Sequence, residues 1–532
     1  MMKIKYHLAF IAVLLTVFVA CKKSKKETTP DPTNPTNPTN PTSSRADLTR
    51  DSVFLYAKEI YLWNTALPSY ATFNPRKYTG SSTDLGNYQT ELFDITKYSI
   101  PYEYKVGATS SKFSFIADKT TQNPSAQGRV ASVDTEGNGN DIGVRVGYYG
   151  SQSNFTLYVT AVYQNSPAEK AGFVRGDKIT KINGSSYGSN FDGQINAILT
   201  ALDGSSVTLE GVKGGTGAAF STTLTKSVFK SSPIYNTKVF TAGSKKIGYL
   251  AYARFSISSN SEAALNTAFS TFSASGVTDL IIDLRYNGGG YVNTAEHLIN
   301  LIVPSSANGK VMFTEHFNAT MQAGNAKILS NQPLLDANGK IQYQNGRIVT
   351  YNDADYTVAE NTYYVTKTGS LNSIQNVVFI VSPNTASASE LTINSLKPYM
   401  NVKLVGQTSY GKPVGFFPVT IENKYEVYFS MFESKNSLGA GGYYDGLTPD
   451  VSDFEVPSGT MMYDFGNPND NYIGKALNIL APGVQVSSNS VNSTMTAAQK
   501  QSLILLTKDV IDDKIDGKEF NGMIENRIKP KK

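Results

Sequence analysis

The chain's 532 residues carry a net charge of +5, three histidines and a single cysteine, Cys21. No basic block stands out beyond the lysines at 22–26, so nucleic acid is not an expected partner. One cysteine excludes a disulfide framework and a thiolate zinc site, and the roughly 490 residues that follow the first stretch exceed one core and imply two to four domains.

Lys3 and Lys5 precede an apolar run over 8–20. The run is too short and wrongly flanked for a lasting membrane span, so 1–20 reads as a signal peptide. Small Ala20 stands directly before Cys21 and looks like a lipoprotein processing site, with Cys21 as the lipid attachment point and no cysteine left for catalysis. The expectation is an exported protein, lipid-anchored to a bacterial envelope membrane. Residues 21–44 hold KKSKKE and PTNPTNPTNPT, a polar, Pro-rich spacer with nothing to bury.

Over 45–125, Val53, Tyr56 and Ile60 fall at helical spacing with Pro68 beyond them, which predicts a small N-terminal helical domain with Trp63 in its core. Over 130–230 the pattern changes to short alternating strands. Ser166-Pro167-Ala168-Glu169-Lys170-Ala171-Gly172 predicts a short helix, followed by a turn at Gly176-Asp177 and a strand to Ile182. This run resembles a PDZ domain, a module that captures chain ends by adding them as a strand and holding the carboxylate in backbone amides. The resemblance places that loop at Asp141, Ile142, Gly143 and Val144, with Asp141 putting a negative charge beside it.

Residues 235–455 alternate strands and helices, the signature of a mainly parallel sheet covered by helices. A strand from Leu280 ends in Asp283-Leu284-Arg285-Tyr286-Asn287-Gly288-Gly289-Gly290, where glycines allow close backbone approach but lack dinucleotide-binding spacing. A second apolar run, 377–381, breaks at Ser382-Pro383-Asn384 and continues into a helix over 387–396. Strand, sharp turn and helix lift Ser387 clear of the sheet beside the free amides of a helix start, making it the candidate nucleophile. Lys412, 25 positions on in a Gly-Lys-Pro turn, is the candidate base.

Asn384-Thr385-Ala386-Ser387-Ala388-Ser389-Glu390 and the later Gly411-Lys412 resemble the C-terminal-processing (tail-specific) serine peptidases. The resemblance implies a multidomain α/β protein: a crotonase-like peptidase core carrying a PDZ-like β-rich domain and the N-terminal helical domain. It implies a Ser387–Lys412 dyad, oxyanion amides from Ala388 and from Gly288 or Gly289, protein or peptide substrates, and no cofactor or metal. Gly446-Leu447-Thr448-Pro449-Asp450 resembles the signature that closes the family's domain. Phe416 stands where many relatives have a glutamine that orients the lysine. Ser389 and Glu390 read as helix-start and packing residues.

Residues 317–373 form a polar insertion without an assignable place, and 456–532 read as a C-terminal helical extension with a helix over 497–512. His297 and His316 lack metal-like spacing or a carboxylate pair. Ser227-Val228-Phe229-Lys230, Ser258-Ser259-Asn260 and Lys367-Thr368-Gly369 occur in the order of a penicillin-binding enzyme, but no apolar helix follows Ser227. From another class, the alternative is a catalytically inert envelope binding protein that keeps the PDZ site.

Overall fold

The computed structural model describes residues 43–120, 132–336, 339–372, 374, 376–455, 457, 461–484, 520–528 and 530–531. The expected signal peptide, Cys21, nearly all of the Pro-rich spacer and the expected helix over 497–512 lie outside the described residues.

Six strands form the central sheet, in the order Ile234–Ala242, Lys245–Tyr252, Asp279–Asp283, Asn376–Val381, Asn401–Gly406, Val451–Ser452. The first pair is antiparallel and the rest run parallel. The apolar runs form inner strands because both of their faces are covered, and successive side chains point to opposite sides. Leu280, Ile282, Val377, Phe379 and Val381 join the larger core, where Leu265, Leu298 and Leu391 from the helices Ser258–Ala274, Val292–Ile302 and Ala388–Leu396 also sit. Ile281, Val378 and Ile380 turn the other way onto the helix Asn471–Leu480, through Tyr472, Ala476 and Leu477.

A second sheet, in the order Val144–Ser151, Asn154–Val162, Lys178–Ile182, Ser206–Val212, Ala219–Thr225, encloses its own core with the helix Phe191–Leu202. Arg175 links the two bodies. Its guanidinium donates to Thr160 O and the Tyr286 hydroxyl at 2.9 and 2.8 Å and pairs with Glu455 at 2.5 Å. Arg285 joins the same cluster through Asp283, Glu455 and Asp470 at 2.7, 2.8 and 3.0 Å. Burial alone would raise the Glu455 carboxyl, but the two guanidiniums hold it down at about 2.

Two expectations change. The N-terminal helices Arg45–Ile60 and Asp84–Thr96 do not enclose a separate core, because Val53, Phe54, Tyr88 and Leu92 pack in the same cluster as Leu280 and Phe379. Two amphipathic helices can cover little more than each other's apolar faces, and the strand Phe115–Asp118 ties them to Tyr425–Tyr428 by antiparallel pairing. The C-terminal stretch is also not purely helical: Gly522–Ile524 is a strand paired with Gly289–Tyr291. Within the 317–373 insertion, Thr362–Tyr364 extends a sheet beside Val311–Phe317, and Tyr343–Gln344 with Arg347–Ile348 forms a hairpin. Among the described residues no helix is long and apolar enough to cross a membrane.

Candidate active site

The strand Asn376–Val381 ends in a turn closed by Thr385 N on Ser382 O at 2.9 Å, while Thr385 Oγ1 donates to Leu284 O at 2.8 Å. Ser387 follows at φ 60° and ψ −110°, directly before the helix Ala388–Leu396. A residue with a Cβ rarely adopts positive φ, and the cost is accepted where surrounding structure holds it. Here the elbow is held on both sides. Asn287 O accepts from Ala386 N at 3.1 Å and from Ser389 Oγ at 3.0 Å. Ser387 itself is fully buried, and its Oγ has no hydrogen-bond partner.

The glycine run packs against this elbow. A Cβ on Gly289, which sits at φ 108°, would lie 3.0 Å from both Ala386 O and Ala388 N, so only glycine allows the two backbones to meet. Gly289 N donates to Asn287 Oδ1 at 2.9 Å. Of the two glycines expected as oxyanion donors, Gly289 therefore already has a partner inside the chain.

Glu390 ties the serine to the lysine. Its Oε2 accepts from Ser387 N at 2.9 Å and Lys412 N at 2.8 Å, and its Oε1 accepts from Gly411 N at 2.7 Å and from the Ser409 hydroxyl. Burial pushes the Glu390 carboxyl up, and these donors oppose that by favouring the carboxylate. Lys412 is 1% exposed. Burial brings its ammonium down to about 7, against the pull of Glu103 and Glu390. Lys412 Nζ donates to Phe113 O at 3.1 Å and Asn521 O at 3.0 Å, rather than to Ser387 Oγ, and lies 4.8 Å from the centre of the Phe416 ring. Main-chain carbonyls and an aromatic face thus surround the amine. The Phe113 carbonyl orients Nζ without adding a charge that would fix the proton, a setting that suits a neutral lysine.

The other candidate residues are placed apart from this group. His297 Nε2 meets Asn266 Oδ1 and His316 Nε2 meets Thr314 Oγ1, both at 2.9 Å. Ser227 begins the strand Ser227–Lys230, paired with Asn138–Asp141, which removes the penicillin-binding arrangement. Asp450 accepts from Lys403 Nζ and Leu404 N, both at 2.8 Å, and the preceding Leu447 N donates to Ser409 Oγ at 2.7 Å, so the closing signature braces the Glu390 network from outside. Among the described residues no cluster of His, Cys, Asp or Glu could hold a metal ion.

At the PDZ-like loop, Asp141, Ile142, Gly143 and Val144 are all buried. The Asp141 Oδ1 accepts from its neighbours Ile142 N and, at 3.2 Å, Gly143 N, while Oδ2 accepts from Ser132 Oγ at 3.0 Å. The chain's own carboxylate thus occupies amides that the resemblance assigns to a captured C-terminus.

Sequence reading missed the part played by Glu390, Phe113 and Asn521. A Ser-x-x-Glu spacing at a helix start does signal a carboxylate folded back onto the serine amide, so Glu390 was detectable. Nothing local marks Phe113 or Asn521, which lie 299 and 109 positions from Lys412.

Residues 246–452 match peptidase family S41 and residues 158–210 match a PDZ domain. The carboxy-terminal processing protease CtpA of Bacillus subtilis is 26% identical over 257 residues, 48% of this chain and 44% of that protein. The chloroplastic C-terminal processing peptidase of Tetradesmus obliquus is 24% identical over 330 residues, 60% of this chain and 61% of that protein. The chain thus matches about half the length of these curated relatives. The fold is shared with the crystal structure of a Bacteroides fragilis protein described as an S41 protease, with a TM-score of 0.52 and 20% identity over 81% of this chain and 96% of that one.

Proposed function

We propose that this chain, which carries an S41 peptidase domain behind a PDZ domain, is a serine endopeptidase working through a Ser387–Lys412 dyad on a core we read as crotonase-like. The observation that carries the reading is the shared carboxylate. Glu390 fixes the main chain of a buried, unpartnered serine hydroxyl and of a lysine brought down to about 7.

In the proposed reaction, neutral Lys412 takes the Ser387 proton as Oγ attacks a peptide carbonyl. Ala388 N and Gly288 N donate to the oxyanion, and the choice of Gly288 follows from the bond that already engages Gly289 N. The lysine then returns the proton to the leaving amine, and water hydrolyses the acyl-enzyme. A fluorophosphonate probe is expected to label wild type and Ser389→Ala, whose hydroxyl only braces Asn287 O. Labelling is expected to vanish in Ser387→Ala. Equal labelling of Ser387→Ala would move the nucleophile elsewhere, and no labelling of any form would favour the inert binding protein.

PDZ-assisted recognition of C-termini is part of this reading, with Asp141 as an internal competitor. Asp141→Asn keeps the shape and removes the charge, so peptides with free apolar C-termini are expected to be cleaved more efficiently by the variant, by roughly fivefold, and their amidated forms to be unaffected. Equal gains for both forms would show that the loop does not read the carboxylate.

We further propose lipid anchoring through Cys21, on the short apolar run and Ala20 that precede it. Cys21→Ser is expected to abolish acylation and to release the protein from the membrane fraction. Acyl mass retained on the variant would refute it.

A further inference from the structure

The segment 520–525 enters the candidate active site from the far end of the chain. Gly522–Ile524 runs parallel to Gly289–Tyr291, with Gly289 opposite Gly522 and Tyr291 opposite Ile524. On its other side, Phe416 N donates to Met523 O and Glu525 N to Phe416 O, both at 3.0 Å. One strand therefore bridges the glycine strand and the chain just past Lys412.

Its backbone lies against the residues of the proposed chemistry. Gly522 N donates to Gly288 O at 3.0 Å, and Asn521 O accepts from Lys412 Nζ at 3.0 Å. A Cβ on Gly288 would lie 2.3 Å from Phe520 O, and one on Gly289 would lie 2.4 Å from Gly522 O. Met523 is fully buried, and the buried Asn521 Oδ1 has no hydrogen-bond partner. At Gly522 a Cβ would meet the Phe416 ring at 2.6 Å and the Phe520 ring at 2.7 Å.

We propose that this slot is where the enzyme takes its substrate as an added strand, and that 520–525 occupies it as a tethered pseudosubstrate. The proposal rests on the peptidase reading and deepens it. Two strand edges offering a donor at Phe416 and acceptors at Gly288 and Phe416 select an extended main chain of any sequence, while the side-chain environment selects a small residue followed by a buried apolar one. Lys412 engaged by Asn521 O, together with a Ser387 hydroxyl that has no partner, is the arrangement of an occupied and idle site. Entry of a substrate then requires the segment to leave. Its anchor lies just beyond, where Arg527 pairs with Glu296 at 2.7 Å and with Glu525 at 2.8 Å.

The test uses the full chain with Gly522→Pro, which deletes the donor to Gly288 O and adds bulk against Phe416, and with Arg527→Ala, which loosens the anchor outside the slot. If the segment fills the slot for about nine-tenths of the time, emptying it speeds fluorophosphonate labelling of Ser387 by roughly tenfold. The expected results are faster labelling in both variants, a melting temperature close to wild type in at least one of them, and binding of a fluorescein-tagged Phe-Asn-Gly-Met-Ile-Glu peptide to Gly522→Pro roughly tenfold tighter than to wild type. Labelling at equal rates in wild type and a folded variant overturns the pseudosubstrate while leaving the peptidase reading in place. If nothing labels, the peptide decides: tighter binding to Gly522→Pro than to wild type keeps the slot and sinks the peptidase reading, and equal or no binding sinks the slot as well.

Discussion

Lys412→Arg is expected to abolish peptide cleavage, with kcat/KM falling by about 10⁴-fold or more, while the chain still folds. A guanidinium stays protonated at any working pH and cannot accept the serine proton. In wild type the base form appears as pH rises, so activity should climb through about pH 7, where burial has placed the lysine, and level off above it. The same shift has a consequence for stability. The unfolded chain binds a proton between about pH 7 and 10.5 that the folded chain does not, so this lysine makes stability rise with pH across that window. Lys412→Met should therefore be inactive yet more stable than wild type near pH 7, by on the order of 2 kcal/mol. A folded Lys412→Arg protein with near wild-type turnover would end the assignment, and thermal melts of the Met variant check the second half independently.

Glu390→Gln is expected to lower kcat by roughly 100-fold and to destabilise the chain by about 3 kcal/mol. Two oxygens accept from four donors in the native site, and whichever way the amide turns, its NH₂ faces two of them. Lost stability alone would not identify Glu390 as the positioning residue of the dyad, so the pH profile is the discriminating measurement. The carboxylate favours the ammonium of Lys412, and removing its charge lowers the lysine further. The midpoint of the activity profile should therefore move below that of wild type, whereas a purely structural role would reduce the rate at an unchanged midpoint.

Much of the molecule is determined by its sequence alone, because the relevant physics is local. The apolar runs at 280–282 and 377–381, short and closed by turn residues, read as buried strands, the spacing of Leu265, Ala268, Phe269 and Phe272 gives a helix one buried face, and a serine at the break after such a strand leads a helix. The glycines after Asn287 likewise announce a close approach, which Ala386 and Ala388 provide. The remainder depends on pairings between distant segments. Local periodicity reports which face of an element is buried but not what covers it, and register across a sheet is set by partners far away in the chain. Thus Lys412 takes its environment from Phe113, Phe416 and Asn521, Asp141 turns back onto the loop it precedes, and the N-terminal helices surrender a separate core to join the central one. The strand Gly522–Ile524 is the clearest case: three residues without a distinctive pattern become a strand because two open edges, at Gly289–Tyr291 and Phe416, supply the hydrogen bonds that they cannot make alone.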